Sequence, residues 1–180
     1  MEVPGRLAYG CTSLAAAWPF GGTEIGLLAD SVLAWDVPVS YLEYEEYGSE
    51  TVEVVTEGEA WSLACVLRSW DSDALSLFAP NSSVGAVTGK RVVSTPGTNR
   101  AGYLWSARGT ALVFAPESVV AGHDDQHPLV VFHKALPHPA RSAKLELRLG
   151  RKWGLPLVVV PVRSAAGRMA DVGFRGDISL

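Results

Sequence analysis

Chemistry in this chain would have to start from His123-Asp124-Asp125-Gln126-His127, where two imidazoles and two carboxylates lie within five residues. These are the donor atoms of a zinc or manganese site. They fall in an expected loop, Glu117 to Gln126, and no helical or strand spacing fixes them as ligands, so a solvated loop is the reading and no metal is assigned. His133 and His138 flank an apolar strand and carry the side chain of a general base, yet no Ser or Cys stands in a G-x-S-x-G context. Gly85 to Lys90 (GAVTGK) is one residue too short for a phosphate loop, and Arg91 occupies the place of the Mg²⁺-binding hydroxyl. Rows of Trp on one sheet face can bind sugars, but Trp61 alternates in phase with Leu63 and Leu67, which favours burial of its ring. With no tight motif, a structural or binding role is favoured over an enzyme, and no cofactor is expected.

The elements that would position these residues are mostly strands. The chain has 180 residues with 18 Gly, 11 Pro and 6 Trp set among β-branched runs, which favours one domain, residues 1–180, of many strands joined by turns. Thr51 to Thr56 and Trp61 to Leu67 alternate with period two around Gly58 and predict a hairpin. Asp71 or Ser72 can cap a short helix whose Leu75, Phe78 and Ala79 share a face before Pro80 stops it. Arg6 to Trp18 reads as a strand followed by a small-residue loop. Thr23 to Ala29 and Ser31 to Val37 read as two strands around a turn at Asp30. In Val39 to Tyr47, Tyr41, Tyr44 and Tyr47 recur every third residue among Glu43, Glu45 and Glu46, which suits either a helix or an extended arm. Further strands are expected at Lys90 to Thr95, Gly102 to Ala107, Ala111 to Phe114, Leu129 to Leu136, Ala143 to Leu149 and Leu155 to Val162. Pro137 and Pro139 interrupt the run after Leu136, and Pro156 and Pro161 require an edge or a bulge. Arg163 to Leu180 is a Gly-rich tail with Phe174 as its large anchor.

Charge is distributed unevenly. The net charge is −4, which disfavours non-specific binding to the outside of a duplex. Between Arg6 and Arg68 there is no Lys or Arg but ten Asp and Glu, whereas 14 of the 15 basic residues lie from Arg68 onward. Either these charges intermix in space or the acidic surface of one copy meets the basic surface of another. Cys11 and Cys65 are expected as reduced, buried thiols. The start MEVPGRLAYG lacks the pattern of a signal peptide and no apolar run is long enough to span a bilayer, so a soluble protein made in a cytoplasm is expected.

The segments GTEIGLLADSVLAWD, an acidic extended loop, and VEVVTEGEAWSLACVLRSWDSDALSLFAP follow one another in an order that resembles the tail tube proteins of long-tailed bacteriophages. Thr56-Glu57-Gly58-Glu59 matches that family's T-x-G-E type turn, and HPLVVFHKALP, AKLELRLG and KWGLPLVVVPV are similar to its C-terminal sheet. The resemblance implies a mainly β fold: a β-sandwich of two antiparallel sheets flanked by one short α-helix, with an extended inter-subunit loop. It implies a virion structural protein in which six copies form a ring and stacked rings form a tube for genome delivery. Tyr41, Glu43, Tyr44, Glu45, Glu46 and Tyr47 would form the inter-subunit arm, and Glu53, Glu57, Glu59 and Glu146 would face the lumen. Its partners would be itself, the terminator, tape measure and distal tail proteins, and double-stranded DNA passing without specific binding. A tail terminator, neck or baseplate ring protein of the same fold is the near alternative, and a glycan-binding or enzymatic β-sandwich is the alternative of a different class.

Overall fold

The computed structural model describes residues 4–44, 50–68, 83–84, 91–92, 109–123, 126–139 and 154–180. The protein is mainly β. Its strands are β1 (Gly5–Tyr9), β2 (Thr23–Asp36), β3 (Val39–Tyr44), β4 (Glu50–Thr56), β5 (Ala60–Leu67), β6 (Ser83–Val84), β7 (Arg91–Val92), β8 (Thr110–Pro116), β9 (Leu129–Pro139), β10 (Leu155–Pro161) and β11 (Ala170–Gly173). One helical turn, α1 (Glu117–Val120), follows β8 directly. Among the described residues all pairings are antiparallel, and β1, β2, β5, β10, β9 and β8 pair in that order until β8 returns to β1. The ring of six strands is therefore a closed barrel, and the expected two-sheet sandwich is corrected to that form. Closure gives every ring strand a partner on both sides, which a pair of open sheets does not.

Two long strands make closure possible. β2 pairs with β1 through Thr23 to Leu28 and with β5 from Leu28 to Asp36, with an irregularity between Ala29 and Val32. Asp30, at φ +52°, sits in that irregularity. The expected turn at Asp30 is thus a bulge within one 14-residue strand, and a bulge increases local twist without ending pairing. β9 divides its outer side between β11 (Leu129 to Phe132) and β10 (Ala135 to Pro139). It runs through Pro137 and Pro139, because its ladder with β8 ends at Ala135 and the prolines lie where one side of the strand is unpaired. In β10 the ladder with β5 covers Leu155 to Val159 and that with β9 covers Leu157 to Pro161. Pro156 and Pro161 each therefore face a single partner strand.

Alternation along β1, β8 and β9 feeds two cores. Leu7, Leu112, Val130 and Phe132 point into the barrel, where they meet Ile25, Leu63, Cys65, Leu67, Leu155, Leu157 and Val159. Ala8, Val113, Ala115, Leu129 and Val131 point outward and are buried just as deeply. The 10–22 loop covers them with Cys11, Leu14 and Phe20, together with Val119 of α1 and, from the tail, Ile178 and Leu180. Gly22 allows this return: a Cβ there would lie 2.5 Å from the Tyr9 carbonyl oxygen. Glu117 to Val120 departs from the expected loop because Pro116, with its fixed φ, leads into a helical turn whose Val119 fills the outer core. The expected helix at Asp71 to Ala79 and the expected strands at Gly102 to Ala107 and Ala143 to Leu149 lie outside the described residues.

Polar contacts pin the loop and the tail. Arg175 Nε donates to the Leu14 carbonyl at 2.7 Å, its Nη2 donates to the Ala16 carbonyl at 2.8 Å, and the guanidinium lies 5.2 Å from the Phe20 ring centroid. The tail anchors are thus Arg175, Ile178 and Leu180, whereas Phe174 is exposed. On the other side, Arg6 donates from Nε and Nη2 to both oxygens of Glu117 at 2.8 and 2.9 Å and from Nη1 to Glu24 Oε1 at 2.6 Å. Trp18 Nε1 donates to the second Glu24 oxygen at 2.8 Å. These bonds tie α1, β1, β2 and the loop together.

Arg175→Ala should lower unfolding stability by about 1–3 kcal/mol in a urea titration, because it leaves loop carbonyls without their charged donor. The Arg6 bonds hold the Glu117 carboxyl below its ordinary value of 4.5. A depressed carboxylate pKa adds stability that is present above the unfolded value and is lost as pH falls through the folded one. Glu117→Gln should therefore reduce stability at neutral pH and flatten its decline below about pH 4.5, read as the urea midpoint against pH. Partial exposure of both partners keeps the effect at roughly 1 kcal/mol or less.

Candidate assembly surface

The strand pair β2 and β5 continues past the barrel. Asp36 pairs with Ala60, the Glu57 amide donates to the Pro38 carbonyl at 2.8 Å, and from there β3 and β4 pair from Val39 with Thr56 out to Tyr44 with Glu50. β3 and β4 therefore form an extended two-stranded arm, and over Val39–Tyr44 the tyrosine-rich stretch is extended and not helical. Six residues of β3 at about 3.3 Å each project it roughly 20 Å. Gly58, at φ +142°, lies at the junction of arm and barrel, in a conformation that side chains rarely adopt.

Among the described residues, each face of the arm carries apolar side chains. Directly paired residues share a face and neighbours alternate, so Val39, Tyr41, Val54 and Thr56 lie on one side and Ser40, Leu42, Glu53 and Val55 on the other. Tyr41 is 62% exposed, Val54 52% and Leu42 51%. Next to the barrel, Trp35 and Trp61 are directly paired and stack with ring centroids 5.0 Å apart and planes inclined by 12°. Trp61 continues the inward stripe of Leu63 and Cys65 and packs against the barrel core, as its alternation predicts, whereas Trp35 remains 61% exposed. The outward side of β2 adds exposed Val32, and that of β10 adds Val160.

The expected arm residues divide. Tyr41, Glu43 and Tyr44 lie on β3, while Glu45, Glu46 and Tyr47 lie outside the described residues. Among the expected lumen acids, Glu53 is exposed on β4, and Glu57 and Glu59 are exposed at the junction with β5. Glu57 accepts a hydrogen bond from Ser40 Oγ and Glu59 one from Trp61 Nε1 at 3.4 Å. Glu146 lies outside the described residues. Sequence reasoning did not single out Trp35, Leu42, Val54 or Val55 as surface residues. The signal was present in the adjacent Val54 and Val55, since two neighbouring β-branched residues must face opposite sides of a strand.

Several of the other chemistry-bearing groups are structurally engaged. Ser118 Oγ and His127 Nδ1 are 2.8 Å apart, His123 is exposed, and Asp124 and Asp125 lie outside the described residues. Among the described residues no three His, Cys, Asp or Glu side chains converge as a metal site. His133 Nε2 bonds to Asp171 Oδ2 at 2.7 Å, and Arg168 reaches the same carboxylate oxygen, which fastens β11 to β9. Cys11 and Cys65 are buried free thiols, and desolvation pushes them up to about 11 and about 12. At neutral pH neither supplies a thiolate nucleophile. Among the described residues no helix is long and apolar enough to cross a membrane. No protein-family model matches the chain, and no curated protein matches it.

Because the Trp35 ring is mostly open to solvent, Trp35→Ala should cost no more than about 0.5–1.5 kcal/mol, the value of an aromatic pair. Leu63→Ala, in the barrel interior, should cost about 2–5 kcal/mol. Parallel thermal and urea melts of the two variants measure the contrast.

Proposed function

We propose that this chain is a self-assembling virion structural protein of the tail tube type, a subunit of hexameric rings that stack around a channel for genome delivery. The observation that carries this reading is the projecting arm with apolar side chains on both faces. A two-stranded hairpin is marginal in water alone, and contiguous exposed apolar surface of this kind marks a protein interface. The segment order GTEIGLLADSVLAWD, acidic arm, VEVVTEGEAWSLACVL supports the same reading through its resemblance to tail tube proteins. A terminator, neck or baseplate ring protein of the same tail would use the same surfaces, and copy number in the virion separates it from a tube.

Under this reading the charges have a use. Glu53, Glu57, Glu59 and Glu146 facing a lumen would repel phosphate, so that duplex DNA passes without adhering. The arm, including Tyr41, Glu43, Tyr44, Glu45, Glu46 and Tyr47, would pack on a neighbouring copy. The protein acts without a cofactor and is found in the virion tail after assembly in the host cytoplasm.

Electron microscopy and light scattering of the purified protein test the assembly. The wild type should form rings or tubes, and the triple variant Tyr41→Ser, Leu42→Ser, Val54→Ser should stay monomeric with an unchanged urea midpoint. A wild type that remains monomeric at high concentration would remove the basis for this function. Lysine at Glu53, Glu57 and Glu59 should slow DNA release in an ejection assay, and an unchanged rate would count against a lumenal position for these acids.

A further inference from the structure

The loop of residues 10–22 holds its shape largely by itself. Its ends meet where Tyr9 pairs with Thr23, and most of its backbone bonds stay inside it. The Thr12 and Ser13 amides donate to the Phe20 carbonyl at 2.9 and 3.2 Å, the Phe20 amide to Ala17 at 2.7 Å and the Gly22 amide to Pro19 at 3.0 Å. Among the described residues, its backbone reaches a ring strand only through the Gly10 and Cys11 amides, which both donate to the Ala111 carbonyl of β8. A compact loop of this kind can leave the barrel without breaking a strand ladder. Gly10 at φ +71° and Gly21 at φ +74° bracket it, in a conformation that side chains rarely adopt. A few such loop positions are enough to absorb the rotation of a hinge. Three further attachments keep the loop down. Cys11, Leu14 and Phe20 pack on the outward wall, Trp18 Nε1 donates to Glu24, and Arg175 donates to the carbonyls of Leu14, Ala15 and Ala16 at 2.7, 3.4 and 2.8 Å. The tail that carries Arg175 is fastened separately, because β11 pairs with β9 and Asp171 is bonded to His133. Beside these contacts the seam between loop and tail is an open groove of about 610 Å³.

We propose that residues 10–22 form a lid, hinged at Gly10 and Gly21 and latched by Arg175, which opens while the barrel stays folded and bares the apolar wall of Ala8, Val113, Ala115 and Val131. Opening gives up the Arg175 and Trp18 bonds and the packing of Cys11, Leu14 and Phe20. The ring keeps all of its strand pairings and its inner core. An opening that breaks so few contacts costs less than global unfolding. The lid requires no second copy of the chain.

The two native cysteines report on the two layers, since Cys11 belongs to the lid and Cys65 to the inner core, and both are buried free thiols. Iodoacetamide labelling of the full-length chain, followed by peptide mass spectrometry, reads each site separately. Cys11 should label at least about tenfold faster than Cys65, because it needs only the lid to open. Val159→Ala removes inner-core packing on β10, which stands opposite β1 in the ring; it should speed labelling of Cys65 and leave Cys11 unchanged. Arg175→Ala should speed labelling of Cys11 roughly tenfold, as expected for the loss of charged hydrogen bonds, and an unchanged rate would overturn Arg175 as the latch. Equal rates at the two thiols, or acceleration of both by Val159→Ala, would mean that Cys11 is reached only by global unfolding and would overturn the lid. The urea dependence of the wild-type rates gives the same decision if Val159→Ala does not fold: a shallower slope for Cys11 supports the lid, and parallel slopes overturn it.

Discussion

Side chains that alternate across β1, β8 and β9 must be buried on both sides, and most of the remaining structure answers that demand. Inward Leu7, Leu112 and Phe132 require a closed ring of strands to surround them. Outward Ala8, Val113 and Val131 require something laid over the barrel wall. The 10–22 loop, the single turn of α1 and the tail supply that cover, and the Arg175 and Arg6 contacts hold it in place. The small outward residues Ala8 and Ala115 let the cover approach closely, while larger inward residues fill the barrel. The wall formed by these three strands is thus the shared floor of two cores.

The opposite wall is built differently. β2 and β5 continue beyond the ring, where among the described residues no further strand closes over them. Trp35 stands largely exposed where the ring ends, and the described part of the arm carries apolar side chains on both of its faces. Natural edge strands are usually blunted by charge, and here Glu43, Glu50, Glu53 and Glu57 supply acid of one sign only.

The polar groups that first suggest chemistry serve this scaffold. His133 joins β9 to β11 through Asp171, and His127 is joined to Ser118 at the end of α1. Each imidazole is engaged by a neighbour whose other contacts are structural. The ten acids and 14 bases that separate along the chain partly remix in space, as Arg68 with Asp30 shows. The arm is where the acidic excess stays unmixed among the described residues.

Local pattern determined most of the strands, because period two and turn residues act over neighbours: β4, β5, β10 and β9 up to Leu136, the inward phase of Trp61, and the confinement of Pro156 and Pro161 follow from the order of residues alone, whereas the course of β9 through Pro137 and Pro139 does not. The order of residues also determined the acidity of the arm. Tertiary structure decided what depends on partners distant in the chain. The ring closes because β10 meets both β5 and β9, pairings about 90 and 20 residues apart that no local pattern encodes. Asp30 becomes a bulge because β1 and β5 take successive halves of one strand, and Arg175 rather than Phe174 anchors the tail because the loop carbonyls it binds lie some 160 residues earlier. The exposure of Trp35 was decided in the same way: periodicity assigns it a face, but only the position where the barrel ends determines whether another layer covers that face.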